Sequence, residues 1–151
     1  MLNVSFKIFT KVATNRINAV AGSVVQPSQT AFIPGRNIME GVMILHETIP
    51  ELHTKNLNCV LFKIDFEKAY NKVNWSFLQQ VLRVKGFSSK WCRWIQSFVT
   101  GGSVGIKVND DIGRYFQTRK GLRQGDPLSP MLFNIVADML ALLTNRAKTD
   151  G

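Results

Sequence analysis

Apolar side chains recur at three- and four-residue steps near the amino end, at Phe6, Phe9, Ala13, Ile17 and Val20. That spacing predicts an amphipathic helix over residues 4–21, ending near Gly22. Gln26 to Arg36, with its Pro and Gly, reads as loop. Ile38, Val42, Leu45 and Ile49 make a second helical stripe, which Pro50 should kink or end. The period then changes. Cys59-Val60-Leu61-Phe62-Lys63-Ile64 is a short, nearly continuous apolar run rich in strand formers, and it predicts a buried strand that ends at Asp65.

Ser76-x-x-Gln79 has the form of a capping box, with Phe77, Leu78, Val81 and Leu82 at helical spacing behind it. Ser88 or Ser89 should cap the next helix, which carries Trp91, Trp94, Ile95, Phe98 and Val99 on one face and stops at Gly101-Gly102. Val104 to Val108 and Arg114 to Thr118 flank Asn109-Asp110-Asp111-Ile112-Gly113, which predicts a hairpin. Asp126-Pro127 sets an N-cap acid before a proline at the first helical position, opening a long helix to about Ala147. Met131, Leu132, Phe133, Ile135, Val136, Met139, Leu140, Leu142 and Leu143 leave that helix apolar on more than one side, so it should back deeply onto a sheet.

A 45% hydrophobic fraction with ten Phe and three Trp in 151 residues supports one core and excludes a disordered or collagen-like chain. Nineteen Lys and Arg against ten Asp and Glu give a net charge of +9, which points to a polyanionic partner without separating nucleic acid from anionic membrane. Six of those nine net charges lie in residues 76–126, the best candidate for a phosphate-facing surface. Cys59 and Cys92 lack a C-x-x-C spacing and are expected as buried, reduced thiols. The first 25 residues carry Lys7, Lys11 and Arg16 and no apolar signal core, and no run of 18 apolar residues occurs. The chain is therefore expected to be soluble and intracellular, with no membrane partner and no glycosylation at its Asn3 and Asn74 sequons; its compartment is not legible. His46 and His53, with Glu47 and Glu51 between them, meet no metal-binding spacing.

Two segments carry chemistry. Phe62-Lys63-Ile64-Asp65-Phe66-Glu67-Lys68-Ala69-Tyr70-Asn71 places a carboxylate at the end of the expected strand. Such a group is costly to desolvate unless it meets a cation, of which Mg²⁺ is the common choice in phosphoryl transfer. A cap on the following turn is the equal alternative for Asp65. Gly121-Leu122-Arg123-Gln124-Gly125-Asp126-Pro127-Leu128-Ser129-Pro130 is a basic, glycine-bearing loop running into a helix N-terminus, where free N–H groups favour an anion. It is also ordinary helix-start architecture.

Together these segments resemble the reverse transcriptases of LINE-type (non-LTR) retrotransposons, particularly those of plants. Residues 62–70 are similar to that family's first catalytic palm motif and residues 121–130 to its next palm motif, while Gln29-Thr30-Ala31-Phe32-Ile33-Pro34-Gly35-Arg36-Asn37-Ile38 resembles a fingers motif. The segment from Leu2 to Ile17 resembles the one before it, so the likeness runs over nearly the whole chain in the family's order. The resemblance implies an α+β fold, a partial polymerase right hand whose few antiparallel strands pack on long helices. Residues 1–56 would be a fingers-derived helical segment and residues 57–151 a partial palm.

The resemblance further implies that Asp65 is a ligand of two catalytic Mg²⁺ ions, with the Phe66 carbonyl as a backbone ligand. Tyr70 would be the steric gate that admits deoxynucleotides, unless it is simply a core aromatic. Gln124 and Gly125 would border the incoming nucleotide, and Arg36, Lys120 and Arg123 would face phosphates. The partners would be an RNA template, a DNA primer and deoxynucleoside triphosphates, and the reaction an in-line attack of a primer 3′-hydroxyl on the α-phosphate. The family's aromatic-Ala-Asp-Asp motif and its thumb do not occur in these residues, which counts against activity, whereas Asn71, standing where the family usually has Asp, bears on local hydrogen bonding more than on activity. Asp65 alone is expected to hold Mg²⁺ weakly or not at all, so this chain by itself is expected not to polymerise DNA. Three readings stay open: a reverse-transcriptase fragment, a basic module that binds RNA or RNA–DNA hybrid without catalysis, and a non-functional relic or partial gene product.

Overall fold

The computed structural model describes residues 4–61 and 63–150. The first apolar stripe folds as α1 (Val4–Asn18) and, after a bend, the single turn α2 (Ala21–Val24). The expected helix to residue 21 is thus split, and the buried face is Thr10, Ala13, Thr14 and Ile17 instead of one that includes Phe9 and Val20, which are exposed. Thr10 and Thr14 can turn inward because their hydroxyls donate to the carbonyls of Phe6 and Thr10, one turn back. The bend after Ile17 lets Ala21 and Val25 enter the same core.

Residues 25–37 are loop, as their composition predicts. Asn37 caps α3 (Ile38–Thr54) by accepting from the Met39 N–H at 3.0 Å. Pro50 removes one donor from the ladder, yet the helix continues for four residues beyond it. No residue of α3 is buried, so its apolar stripe faces outward.

The largest correction concerns residues 59–64. Among the described residues of this run none is in a strand and all are exposed; Phe62 lies outside the described residues. A strand needs a partner for its backbone groups, and no described strand pairs with this run. Cys59 is accordingly exposed, against expectation, whereas Cys92 is buried.

After the short α4 (Ala69–Lys72), α5 (Trp75–Val84) begins two residues before the expected capping box would place its start. Its cap is Asn74, whose Oδ1 accepts from the N–H groups of Ser76 and Phe77 at 2.8 and 3.2 Å, an acceptor close enough to replace the Ser76–Gln79 pair. The helix closes with Gly86 at φ +85°, where Gly86 N–H donates to Arg83 and Phe87 N–H to Leu82. Ser88 caps α6 (Ser89–Thr100), and Gly101 ends it, as the pattern predicts. The buried face of α6 is Cys92, Ile95 and Val99, with Trp94 left 41% exposed.

The predicted hairpin is present but differently divided. β2 (Lys107–Val108) pairs with β3 (Asp111–Ile112) across Asn109 and Asp110, both at positive φ as a two-residue primed turn requires. The tight turn draws Asp111 and Ile112, expected as loop, into the ladder. β1 (Ser103–Val104) pairs with β4 (Phe116–Gln117). The register shifts by one residue between the two ladders, so a bulge interrupts the hairpin.

Asp126 accepts from the Leu128 N–H at 3.0 Å and leads into α7 (Ser129–Asp150), which begins two residues after Pro127 and runs three past the expected end. This helix packs on α5, not on a sheet. Met131, Leu132 and Ile135 of α7 meet a common core with Leu78, Val81 and Leu82 of α5, Ile95 of α6 and Ile17 of α1, while Leu140, Leu142 and Leu143 are exposed. The four strands are too short and too exposed to receive it. The architecture is mixed α+β, dominated by helices. No helix of the described residues is long and apolar enough to cross a membrane.

Three polar residues are buried on α7, Ser129, Asn134 and Asp138, and the last two bind the loop before α3. Asp138, 1% exposed, accepts from Lys85 Nζ at 2.5 Å and from the Gln26 N–H at 2.9 Å, and Lys85 also donates to the Val24 carbonyl. Asn134 donates to the Ala31 carbonyl and accepts from Gln29 Nε2. These bonds anchor the loop after α2 to α5 and α7, satisfying groups that would otherwise be costly to bury.

Candidate functional site

The two motif segments are brought together by backbone. Leu122 N–H donates to the Tyr70 carbonyl at 2.7 Å, Gly121 N–H to the Val73 carbonyl at 2.8 Å, and Trp75 Nε1 to the Gly121 carbonyl at 2.7 Å. Gly121 sits at φ +93°, and a Cβ there would lie 2.9 Å from the Asn71 carbonyl oxygen. Glycine is therefore required for the close approach of the two chains. Asn71 contributes this backbone to the junction.

Tyr70 stacks on Phe133 of α7, with centroids 5.1 Å apart and planes at 27°, and Phe66 meets the same ring edge-on at 6.3 Å. Lys68, in the left-handed region at φ 50°, turns the chain between these two aromatics. Tyr70 is half-buried, packed on α7 with the chain of residues 66–70 along one flank. Asp65 is exposed just before Phe66 and makes no hydrogen bond or ion pair among the described residues. It does not cap the following turn: no described N–H of residues 66–69 donates to its carboxylate.

On the other segment, Gln124 and Gly125 form an exposed turn. Gly125 has φ +79° and open space where a Cβ would be, so a ligand can approach its backbone closely. Ser129 Oγ donates to the Arg123 carbonyl at 2.7 Å and holds the loop against the start of α7. Lys120 is exposed. Arg123 is half-buried, its guanidinium 4.5 Å over the Phe6 ring and against Gly102.

Arg36 is placed apart from this loop. Its terminal nitrogens donate to the carbonyls of Gln26 at 2.6 Å and Gln29 at 2.7 Å, and to those of Val25 and Gly22 at 3.1 and 3.3 Å. The guanidinium is thus occupied as a staple of the loop, and a phosphate would have to displace these carbonyls. The structure brings together Phe66, Tyr70 and the chain of residues 121–123, with Gln124 and Gly125 on the exposed turn beyond; it does not bring Arg36 there.

A Mg²⁺ site needs about six oxygen ligands in octahedral array, usually including more than one carboxylate or phosphate. Among the described residues no three His, Cys, Asp or Glu side chains converge. Asp65 and one backbone carbonyl do not meet that requirement, so the donor set present does not fit a catalytic metal pair. The basic character of the region is tempered only locally, where Glu67 pairs with Lys72 at 2.7 Å and lies 4.0 Å from Lys68.

Sequence reasoning missed the Lys85–Asp138 and Gln29–Asn134 bonds that hold the segment of residues 24–31 to the rest. The available signal was a polar residue inside an otherwise apolar helical run, as at Asn134 and Asp138.

A family model described as reverse transcriptase (RNA-dependent DNA polymerase) matches residues 1–148. The chain is 25% identical over 147 residues, 97% of its length, to the transposon TX1 uncharacterized 149 kDa protein of Xenopus laevis, of which it covers 11%. It is 27% identical over 114 residues, 76% of its length, to the retrovirus-related Pol polyprotein from type-2 retrotransposable element R2DM of Drosophila melanogaster, again covering 11%. A third relative, the Pol polyprotein from type-1 retrotransposable element R2 of Nasonia vitripennis, is 29% identical over 136 residues, 90% of the chain and 13% of that protein. The chain thus spans roughly a tenth of the length of these relatives, yet the family model spans nearly all of the chain. On that match, which takes in both motif segments and the backbone junction between them, the chain belongs to the reverse transcriptase family.

Proposed function

We propose that this chain is the fingers-and-palm portion of an RNA-directed DNA polymerase from a LINE-type retrotransposon of plants, with residues 1–56 from the fingers and 57–151 from a partial palm of the right hand. The junction of residues 70–75 with residues 121–122 carries this reading, because its backbone bonds hold Tyr70 of α4 beside the chain that runs on into the Gln124-Gly125 turn. In the whole polymerase Tyr70 would crowd a 2′-hydroxyl, Gln124 and Gly125 would border a deoxynucleotide, and Lys120 would face phosphates of an RNA template and DNA primer. Arg123 is offered the same role, though its guanidinium rests on Phe6. Asp65, exposed and without a partner among the described residues, contributes one carboxylate to a site that requires others. These residues by themselves bind nucleic acid without extending a primer. The exposed lone carboxylate favours this second, non-catalytic reading for the chain in isolation.

Primer extension on an RNA template with Mg²⁺ and four deoxynucleotides, run beside Asp65→Ala and a binding assay on the same primer–template, tests both. The expected result is no extension and binding that weakens steeply with salt. Extension that Asp65→Ala abolishes would show that a working metal site is assembled after all.

A further inference from the structure

The described residues between 58 and 66 have the composition of a strand and none of its bonds. None of their backbone N–H or carbonyl groups is hydrogen-bonded to other backbone among the described residues. The run also lies in the open, with Val60 78%, Leu61 65% and Ile64 60% exposed. Unpaired backbone flanked by exposed strand-forming side chains is a template for pairing with another chain. The two charged side chains of the run are equally unengaged. Neither Lys63 nor Asp65 forms a hydrogen bond or ion pair among the described residues, whereas Glu67, two positions on, is held by Lys72.

Lys63 and Asp65 are two positions apart, so along an extended chain they stand on one side and Ile64 and Phe66 on the other. That pattern complements itself in one register. Antiparallel pairing of two copies about Ile64 sets Lys63 of each opposite Asp65 of the other, sets Ile64 opposite Ile64, and keeps Phe66 on the apolar row. Moving the centre back to Lys63 sets two ammoniums opposite each other, and moving it on to Asp65 does the same with two carboxylates. The half-step registers between them set each charge opposite an apolar side chain. Parallel pairing in register stacks like charges at both positions, which is destabilising.

We propose that residues 61–67 of two copies of this chain pair as antiparallel strands about Ile64, giving a twofold-symmetric dimer joined by two Lys63–Asp65 ion pairs. The pairing does not rest on the polymerase reading. Two short strands bury less than the roughly 800 Å² per partner of a standard interface, so the dimer dissociates readily. The net charge of +9 on each copy opposes association, and salt near 0.15 M screens that repulsion beyond about 8 Å while side chains in contact lose less of their attraction.

The test is sedimentation equilibrium of the full chain over a concentration series at that salt, for the wild type, Lys63→Asp, Asp65→Lys and an equimolar mixture of the two variants. Both positions are exposed, and far-UV circular dichroism checks that each variant keeps the fold. Each single variant turns both ion pairs into like-charge pairs and should weaken the dimer by about 10-fold or more. In a mixed dimer every pair is again Lys against Asp, so the mixture should associate as the wild type does. Net charge alone predicts a different pattern, because Lys63→Asp lowers the repulsion between copies and Asp65→Lys raises it. As a second measurement, Ile64→Cys in a Cys59→Ser background should form an intermolecular disulfide under oxidised glutathione, since residues directly opposite lie about 4.5–5.5 Å apart between Cα atoms. Val60→Cys in the same background, opposite Lys68 beyond the strand, should not.

A wild type that stays monomeric through the series overturns the proposal, as does wild-type affinity in either single variant or a mixture that associates no better than its components. Equal cross-linking through Ile64→Cys and Val60→Cys overturns it even if the charge variants fail to fold. Assemblies that grow beyond a dimer overturn it as well, since they would mean that the run pairs along both of its edges.

Discussion

Gly121 and Gly125 both occupy backbone conformations that L side chains rarely adopt, at φ +93° and +79°, but only Gly121 is crowded. A Cβ at Gly125 meets nothing within 4 Å, whereas one at Gly121 meets the Asn71 carbonyl oxygen at 2.9 Å and Asn71 Cα at 3.1 Å. Gly125→Ala should therefore cost only the conformational term, about 1–2 kcal/mol. Gly121→Ala adds overpacking against rigid backbone, about 1–3 kcal/mol, for a total of about 2–5 kcal/mol. In a chain of this size that corresponds to a melting temperature lowered by roughly 4–20 °C for Gly121→Ala and by roughly 2–8 °C for Gly125→Ala. Urea denaturation followed by circular dichroism measures both, with a constant slope as the check that only stability has changed. Gly121→Ala should also shift the Trp75 indole signal, because its N–H donates to the Gly121 carbonyl. Equal costs for the two variants, within about 0.5 kcal/mol, would refute the close approach of the two motif segments on which the site rests.

Asp138→Ala should destabilise the chain by about 3–5 kcal/mol, because it leaves the Lys85 ammonium buried without its counter-charge, while Lys85→Met with Asp138→Leu should recover most of that loss in the same denaturation assay. Asn74→Ala removes the acceptor for two α5 N–H groups and should cost about 1 kcal/mol; Asn74→Asp should restore it. Arg36→Ala should speed proteolytic cleavage within residues 25–37, and it should leave the salt dependence of nucleic-acid binding unchanged if the guanidinium serves carbonyls and not phosphates. Asp110→Gly should stabilise the hairpin by a few tenths to about 1 kcal/mol, since Asp110 stands at φ 70° in a tight turn, and the gain is readable as slower amide exchange in β2 and β3.

Short-range chemistry was legible from the chain itself. The loop of residues 26–36, the Ser88 cap, the Gly101 stop, the hairpin about Asn109 and the Asp126 turn that leads into the last helix all follow from interactions within a few residues, although that helix itself starts at Ser129. The two motif segments and the family they indicate were legible for the same reason, since each is a contiguous run. What required the tertiary structure was every choice of partner. The run at residues 59–64 has the composition of a buried strand, but a strand's backbone groups are satisfied only by another strand, and no described strand pairs with it. The face of α1 that turns inward was decided by packing into the shared core, where Thr10 and Thr14 are buried and Phe9 and Val20 are not, and the threonine hydroxyls return to carbonyls of their own helix. Arg36 reads as a phosphate ligand in a motif and becomes a staple only when four carbonyls of the folded loop converge on it. The junction at Gly121 likewise joins residues about fifty positions apart, and no local pattern encodes which carbonyl a distant N–H will find.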